Sequence, residues 1–337
     1  MARIGIVGTA SWGTTLGVIT ARQGHRAVLW ARTRAEASEL QKARESPRFH
    51  PGVRFPDGLS VTSSPDEAFD NCDLLIVAVP TSAVRQNARK LTDALRAAPL
   101  VLSATKGIEP GTGKRPSEML AEEIGPGGRG PVGAISGPNL AREIIAGKPA
   151  SATVAFTAPE AALATQAVLA SSVFRVYTTD DLVGLELGGA LKNIIAICAG
   201  VVDGLGLGDN AKAAIITRGL HEITRMGVTM GARPETFAGL SGLGDLVATC
   251  YSKYSRNRFV GEELGKGRPL DDILAGMDQT AEGVPATLAA VQIAAKLGVE
   301  MPLAETLKRL MFEGLGVGDA MEALMRRAPV AESRVPT

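Results

Sequence analysis

The 337-residue sequence is poor in the residues that mark several protein classes. It holds three cysteines, Cys72, Cys198 and Cys250, with no C-x-x-C pair and mostly apolar neighbours. That argues against a disulfide framework or a cysteine zinc site, and for buried thiols in a reducing compartment, expected to be the cytoplasm. Its three histidines, His25, His50 and His221, have no metal-ligand spacing. They read as structural, and no metal is expected. Charge is nearly balanced, 36 basic against 35 acidic residues, a formal +1. No field therefore favours nucleic acid or an anionic membrane. There is no internal repeat and no low-complexity tract. A strand pattern already begins at residue 3, so no signal peptide is expected. One apolar run, Leu182 to Val202, approaches the length of a membrane span, but Glu186, Lys192 and Asn193 interrupt it. It reads as a buried helix, and no membrane span is expected.

What is present begins with Arg3-Ile4-Gly5-Ile6-Val7-Gly8-Thr9-Ala10-Ser11-Trp12-Gly13. An apolar strand run breaks into a turn of small residues, and a helical pattern opens at Thr14. That is the context of a dinucleotide fingerprint, with Gly8 for the tight turn and Gly13 for close helix–strand packing. A pyrophosphate would sit on the N–H groups of the helix start. Ala10 stands where G-x-G-x-x-G has its middle glycine. A buried first strand with an ordinary turn is the plainer alternative.

Strand and helix patterns then alternate, which implies a parallel sheet covered by helices. Strands are expected near Arg3–Val7, Ala27–Trp30, Leu74–Val79, Leu100–Ala104 and Val132–Ile135, with two more runs at Ala152–Phe156 and Phe174–Tyr177. Helices are expected near Thr14–Gln23, Arg34–Arg44, Ala83–Leu95 and Pro116–Ile124. Thr178-Thr179-Asp180-Asp181 marks a boundary, after which the pattern is helical: Leu182–Asp203, Asp209–Met230, Ala286–Leu297, Pro302–Phe312 and Gly318–Met325. Asp209 or Asn210 would cap the second of these, and the tail after Ala328 is expected to fray. The fold class is α/β plus all-α: a Rossmann-like doubly wound parallel sheet over 1–181, then a helical domain over 182–337.

Ligands of such sheets bind outside the carboxyl ends of the strands. At the second strand's end stand Arg32 and Arg34, with no acid before Glu36. A guanidinium matches a ribose 2′-phosphate, so NADP is favoured over NAD. Lys106 ends the strand Leu100–Ala104 and would face the crevice as a ligand for an anion or carbonyl; alone it reads equally as a loop lysine. Ser136-Gly137-Pro138-Asn139-Leu140-Ala141 follows another strand, with Pro138 suited to a helix's first turn.

In the second half, Lys192-Asn193 lies within the most apolar helix. Desolvation lowers a lysine's pKa and makes it useful as an acid or base. Glu186 or Asp245 is a possible partner, and snorkelling from a polar edge is the alternative. Asp245 ends Gly242-Leu243-Gly244, read as a flexible turn. Ser255-Arg256-Asn257-Arg258 is a dense set of donors suited to a phosphate, or a solvated basic turn.

Taken together, these segments resemble the NAD(P)-dependent glycerol-3-phosphate dehydrogenases of the bacterial type. The matching pieces are Gly8–Gly13 with Thr14, Ala104-Thr105-Lys106-Gly107, Ser136-Gly137-Pro138, Ala190-Leu191-Lys192-Asn193, Leu240–Leu246, Ser255-Arg256-Asn257 and Thr280-Ala281-Glu282-Gly283. They keep the family's order and cover nearly the whole chain. The resemblance implies that Gly8, Ser11, Trp12, Gly13, Arg32, Lys106, Ala141, Arg256, Thr280 and Glu282 bind the cofactor, NADP or NAD. It implies that Lys106, Gly137, Asn139, Lys192, Asn193, Asp245, Ser255, Arg256 and Asn257 hold the substrate. Lys192 would be the catalytic acid/base, supported by Asp245. Ala10 departs from the family's glycine, and Asn139 from its serine.

The implied reaction is reversible hydride transfer between nicotinamide C4 and C2 of dihydroxyacetone phosphate, giving sn-glycerol 3-phosphate for phospholipid synthesis, in a homodimer. Its site is expected in a cleft between the two domains. Two rivals are a β-hydroxyacid or ketopantoate-type dehydrogenase, which needs a carboxylate clamp, and a non-catalytic nucleotide sensor, which has no need of a lysine in an apolar helix.

Overall fold

The computed structural model describes residues 1–328, so the expected fraying after Ala328 lies outside the described residues. Two compact units divide the chain: Met1–Thr105 with Pro116–Leu182, and Lys106–Arg115 with Val183 onward. The short segment Lys106–Arg115 thus groups with the helical unit, and Ile108 enters that unit's core.

The first unit is built on an eight-stranded sheet. In chain order the strands are β1 (Arg3–Val7), β2 (Arg26–Trp30), β3 (Glu45–Ser46), β4 (His50–Arg54), β5 (Leu59–Thr62), β6 (Leu74–Val77), β7 (Val101–Ser103), β8 (Val132–Ser136), β9 (Ala150–Ala155) and β10 (Phe174–Thr179). The sheet runs β10-β9-β8-β7-β6-β1-β2-β5, and β3 and β4 form a separate hairpin. Every sheet pairing is parallel except β8 with β9, which run antiparallel. The expected doubly wound parallel sheet is thus present, with this one antiparallel pair inside it. The segment 137–149 between these strands carries only one short helix, Ala141–Ile145, and a chain that re-enters at the end where the previous strand left runs antiparallel to it. Strand order reverses between β1 and β6, the switch point where doubly wound sheets bind ligands. The central strands are buried on both faces, between one apolar core holding Ile4, Ile6, Leu16, Leu29 and Leu74 and another holding Val7, Leu75, Val77 and Val101.

The edge strand β5 and the hairpin were not expected; each is short, with two to five residues. The helix expected over Ala83–Leu95 is two helices, Val84–Lys90 and Thr92–Ala97, joined at Leu91. Pro138 precedes its helix, which starts at Ala141.

The second unit surrounds the helix Leu182–Gly204, buried from Gly184 to Gly200. This helix is long and apolar enough to cross a membrane, yet 89% of its most apolar window is buried inside the protein. A helix that is apolar all round is a core helix when others cover it. Here the cover includes Gly208–Thr229, Arg256–Gly265 and Gly283–Leu297. Gly208–Thr229 starts earlier than expected, from an N-cap at Leu207, so Asp209 lies in its first turn rather than capping it. Helix Arg256–Gly265 meets the central helix backbone to backbone. A Cβ on Gly200 would stand 2.1 Å from the Arg258 carbonyl oxygen, and one on Gly261 1.9 Å from that of Ile197. Gly204 and Gly265 extend the same seam.

Candidate active site

In the first unit, the turn from β1 into helix Ser11–Arg22 sits at the switch point. Gly8 has φ of +119°, and a Cβ there would meet the Ala78 carbonyl oxygen at 2.4 Å. A Cβ on Gly13 would stand 2.1 Å from the Gly8 carbonyl oxygen. Both positions therefore require glycine. The N-cap is Ala10, which makes no side-chain cap hydrogen bond, so the N–H groups of the first turn are left for another acceptor. Ala10 is an extended residue, with φ of −75° and ψ of −178°. That backbone suits any residue, which explains how alanine replaces glycine there.

Around this turn several buried polar atoms lack a partner among the described residues: Trp12 Nε1, Ser136 Oγ and both amide atoms of Asn139. The Trp12 ring packs edge-on against Phe174, with centroids 6.5 Å apart. The Ser11 hydroxyl contacts His50 Nε2 at 3.2 Å, and the same nitrogen reaches the Ser11 carbonyl oxygen at 2.8 Å. Burial lowers the His50 pKa, partly opposed by that backbone contact. Arg32 and Arg34 are exposed after β2, and Glu36 accepts a hydrogen bond from Thr9. Gly137 has φ of +138° and packs against β9, while Ala141 begins its helix and its carbonyl oxygen lies 3.5 Å from Thr15 Oγ1. The uncapped first turn, the glycine contacts and the orphaned donors fit a bound dinucleotide.

In the second unit the buried lysine has found its partner. Lys192 Nζ donates to Asp245 Oδ1 at 2.6 Å and to Thr249 Oγ1 at 2.5 Å. Lys106 Nζ donates to the other oxygen, Asp245 Oδ2, at 2.6 Å. Lys192 and Asp245 are both buried, and Lys106 is partly exposed. Burial pushes the Lys192 ammonium down to about 8; Asp245 opposes the shift and Lys106 reinforces it. Glu186, the other possible partner, instead pairs with Arg115 at 2.8 Å. Snorkelling is ruled out as well, because Lys192 is only 5% exposed.

Asp245 does not sit on a flexible turn. Leu240–Gly244 forms a π-helical turn that runs straight into helix Asp245–Tyr251. A Cβ on Gly242 would meet the Phe237 carbonyl oxygen at 2.1 Å. The turn is thus pressed into place, as π-turns at functional sites often are. Thr249, absent from the expectations, lies one helical turn beyond Asp245 and 3.2 Å from it. The i, i+4 spacing was the signal for it.

The donor segment is also ordered. Ser255 caps helix Arg256–Gly265, accepting from the Arg258 N–H at 3.1 Å. Asn257 Nδ2 donates to Asn193 Oδ1 at 2.8 Å, and Asn257 Oδ1 accepts from the Gly283 N–H at 2.9 Å. Arg256 Nη1 donates to the Thr280 carbonyl oxygen at 2.8 Å, and Glu282 is the N-cap residue of the next helix. One unit thus gathers Lys106, Lys192, Asp245 and Thr249, and beside Asn193 it gathers Ser255, Arg256, Asn257 and Gly283. The other gathers Gly8, Ser11, Trp12, Gly13 and Ala141.

Comparison with known proteins decides the family. Residues 3–162 match the family described as the NAD-dependent glycerol-3-phosphate dehydrogenase N-terminus, and residues 181–322 match its C-terminus. A glycerol-3-phosphate dehydrogenase [NAD(P)+] of Prosthecochloris aestuarii is 45% identical over 98% of this chain and 99% of its own length. The chain belongs to the NAD-dependent glycerol-3-phosphate dehydrogenase family. A relative of the same description from Chlorobium limicola is 46% identical, with 98% and 99% of the two chains covered. The crystal structure of glycerol-3-phosphate dehydrogenase from Coxiella burnetii superposes with a TM-score of 0.91 at 35% identity, over 97% of this chain and 99% of that one. For a member of this dehydrogenase family, a lysine held cationic by a carboxylate and beside a second lysine is chemically apt.

Proposed function

We propose that this chain reduces dihydroxyacetone phosphate to sn-glycerol 3-phosphate, reversibly, with NADPH or NADH. The observation that carries the proposal is the buried Lys192, pushed down to about 8 and held on Asp245 and Thr249. When bound, the cofactor supplies a hydride from nicotinamide C4 to the substrate's C2. As that C–H bond forms, negative charge collects on the C2 oxygen. Lys192 stabilises it and passes it a proton, so one N–H bond breaks as the O–H bond forms. Asp245 and Thr249 aim the ammonium, and Lys106 adds a second positive charge. The neutral amine then regains a proton from water; in the oxidation direction it takes the proton away.

Ser255, Arg256 and Asn257 grip the substrate phosphate in this reading, with Asn193 fixing the Asn257 amide. Gly137, Asn139 and Lys106 complete the substrate set. Gly8, Ser11, Trp12, Gly13, Arg32, Lys106, Ala141, Arg256, Thr280 and Glu282 form the cofactor set, with Arg32 reading the 2′-phosphate of NADPH. The product would serve phospholipid synthesis. A homodimer in the cytoplasm belongs to the same proposal, and three buried, unpaired cysteines are consistent with a reducing compartment.

The test is oxidation of NADPH and NADH on adding dihydroxyacetone phosphate, followed at the nicotinamide absorbance, with sn-glycerol 3-phosphate in reverse. Turnover of ketopantoate or another 2-oxo acid in its place, or of no substrate, would overturn the proposal.

A further inference from the structure

Asp203 has no part in the proposed chemistry, yet it joins three elements of the helical unit. It lies in the last turn of helix Leu182–Gly204, where a carboxylate faces the negative end of the helix dipole. Helix stability therefore does not account for it. Its two oxygens accept from Lys212 Nζ at 3.0 and 2.9 Å, and Oδ2 also accepts from Arg258 Nε at 2.7 Å. Lys212 is buried and lies over the Tyr251 ring, 4.5 Å from its centroid. Arg258 pairs in addition with Glu262 at 3.1 Å.

Arg258 directly follows Arg256 and Asn257, and its own N–H is the one Ser255 caps. Across the seam of Gly200, Gly204, Gly261 and Gly265, helix Arg256–Gly265 runs backbone to backbone along the central helix. Interlocking side-chain ridges normally fix how two helices slide. A glycine seam sets how close they run but offers little to stop one moving along the other. The bridge from Asp203 to Arg258 ties the two helices together across the seam, joining the residue before Gly204 to the residue that faces Gly200.

We propose that Asp203 is a positioning residue for the substrate phosphate: through Arg258 it fixes the height of helix Arg256–Gly265 along the seam, and so the placement of Ser255, Arg256 and Asn257. The inference rests on reading those three residues as the phosphate grip. Asp203→Asn keeps the size and removes the charge that holds Arg258.

The expected result is a kcat/KM for dihydroxyacetone phosphate lowered roughly 5- to 30-fold, the scale of losing one partner in a coupled network, with most of the loss as a raised KM and a smaller part in kcat. Turnover of dihydroxyacetone, which lacks the phosphate, should not change, and Asp203→Glu should recover most of the loss. Arg256→Ala is run alongside. If it selectively impairs the phosphorylated substrate while Asp203→Asn changes neither, the positioning role is wrong and the grip stands. If Arg256→Ala impairs both substrates equally, the grip itself is wrong and the inference falls with it. Equal losses on both substrates from Asp203→Asn, with a lower Tm, would mark a purely structural residue. Should Asp203→Asn not fold, Arg258→Gln leaves the Asp203–Lys212 pair intact and is held to the same outcomes.

Discussion

Lys192 and Lys106 share one carboxylate: each ammonium lies 2.6 Å from a different oxygen of Asp245. One carboxylate thus answers two cations, and burial holds the inner one, Lys192, down at about 8.

Replacing Lys192 should separate catalysis from folding. Lys192→Met keeps the bulk of the stem and leaves Asp245 paired with Lys106. The rate should fall by roughly two to four orders of magnitude, the scale of losing a positioned acid/base, with NAD(P)H affinity unchanged. Because the folded pKa lies below the unfolded value, the unfolded chain binds the proton more tightly between pH 8 and 10.5. Wild-type stability should therefore rise with pH across that window, and the variant should lack the slope. A kcat near wild type would rule Lys192 out as the acid.

In the proposed mechanism, reduction needs the protonated Lys192 and oxidation needs its neutral amine. Reduction should fall as pH rises through about 8, and oxidation should rise. Lys106→Met removes a charge that pushes Lys192 down, so the surviving activity should show both limbs at higher pH. Limbs that stay in place in the variant would mean that another group titrates.

Arg32 is exposed at the end of β2, free to meet a 2′-phosphate. Arg32→Ala should weaken NADPH more than NADH, measured as Kd by cofactor fluorescence. Equal losses would show that the guanidinium does not read that phosphate.

A hydrogen bond to a charged group contributes about 1.5–3 kcal/mol, so Arg256→Ala should lower kcat/KM for dihydroxyacetone phosphate by roughly 10- to 150-fold. Gripping the phosphate also orients the carbonyl, so part of the loss should appear in kcat. Arg256→Lys should restore only part, since an ammonium lacks the planar fork.

At the dinucleotide turn, Gly13→Ala would place its Cβ 2.1 Å from the Gly8 carbonyl oxygen. Either helix or strand must move, at about 1–3 kcal/mol for forced overpacking. Both cofactors should lose affinity together, and Tm should fall. Unchanged binding would show that the turn relaxes without cost.

The sequence by itself determined what depends on near neighbours. Alternating strand and helix patterns specified the doubly wound unit, Gly8 and Gly13 marked its turn, and the interruption of an apolar run singled out Lys192. Local spacing carries such information because strand, turn and helix are set within a few residues. Only the tertiary structure decided which groups meet. Glu186 was as close in sequence to Lys192 as any acid, yet it turns to Arg115, and the partner is Asp245, 53 positions away. The antiparallel turn of β9, the bridge from Asn257 to Asn193 and the glycine seam were equally hidden. Each depends on how close distant backbones come, and that distance is settled by packing rather than by any local pattern of residues.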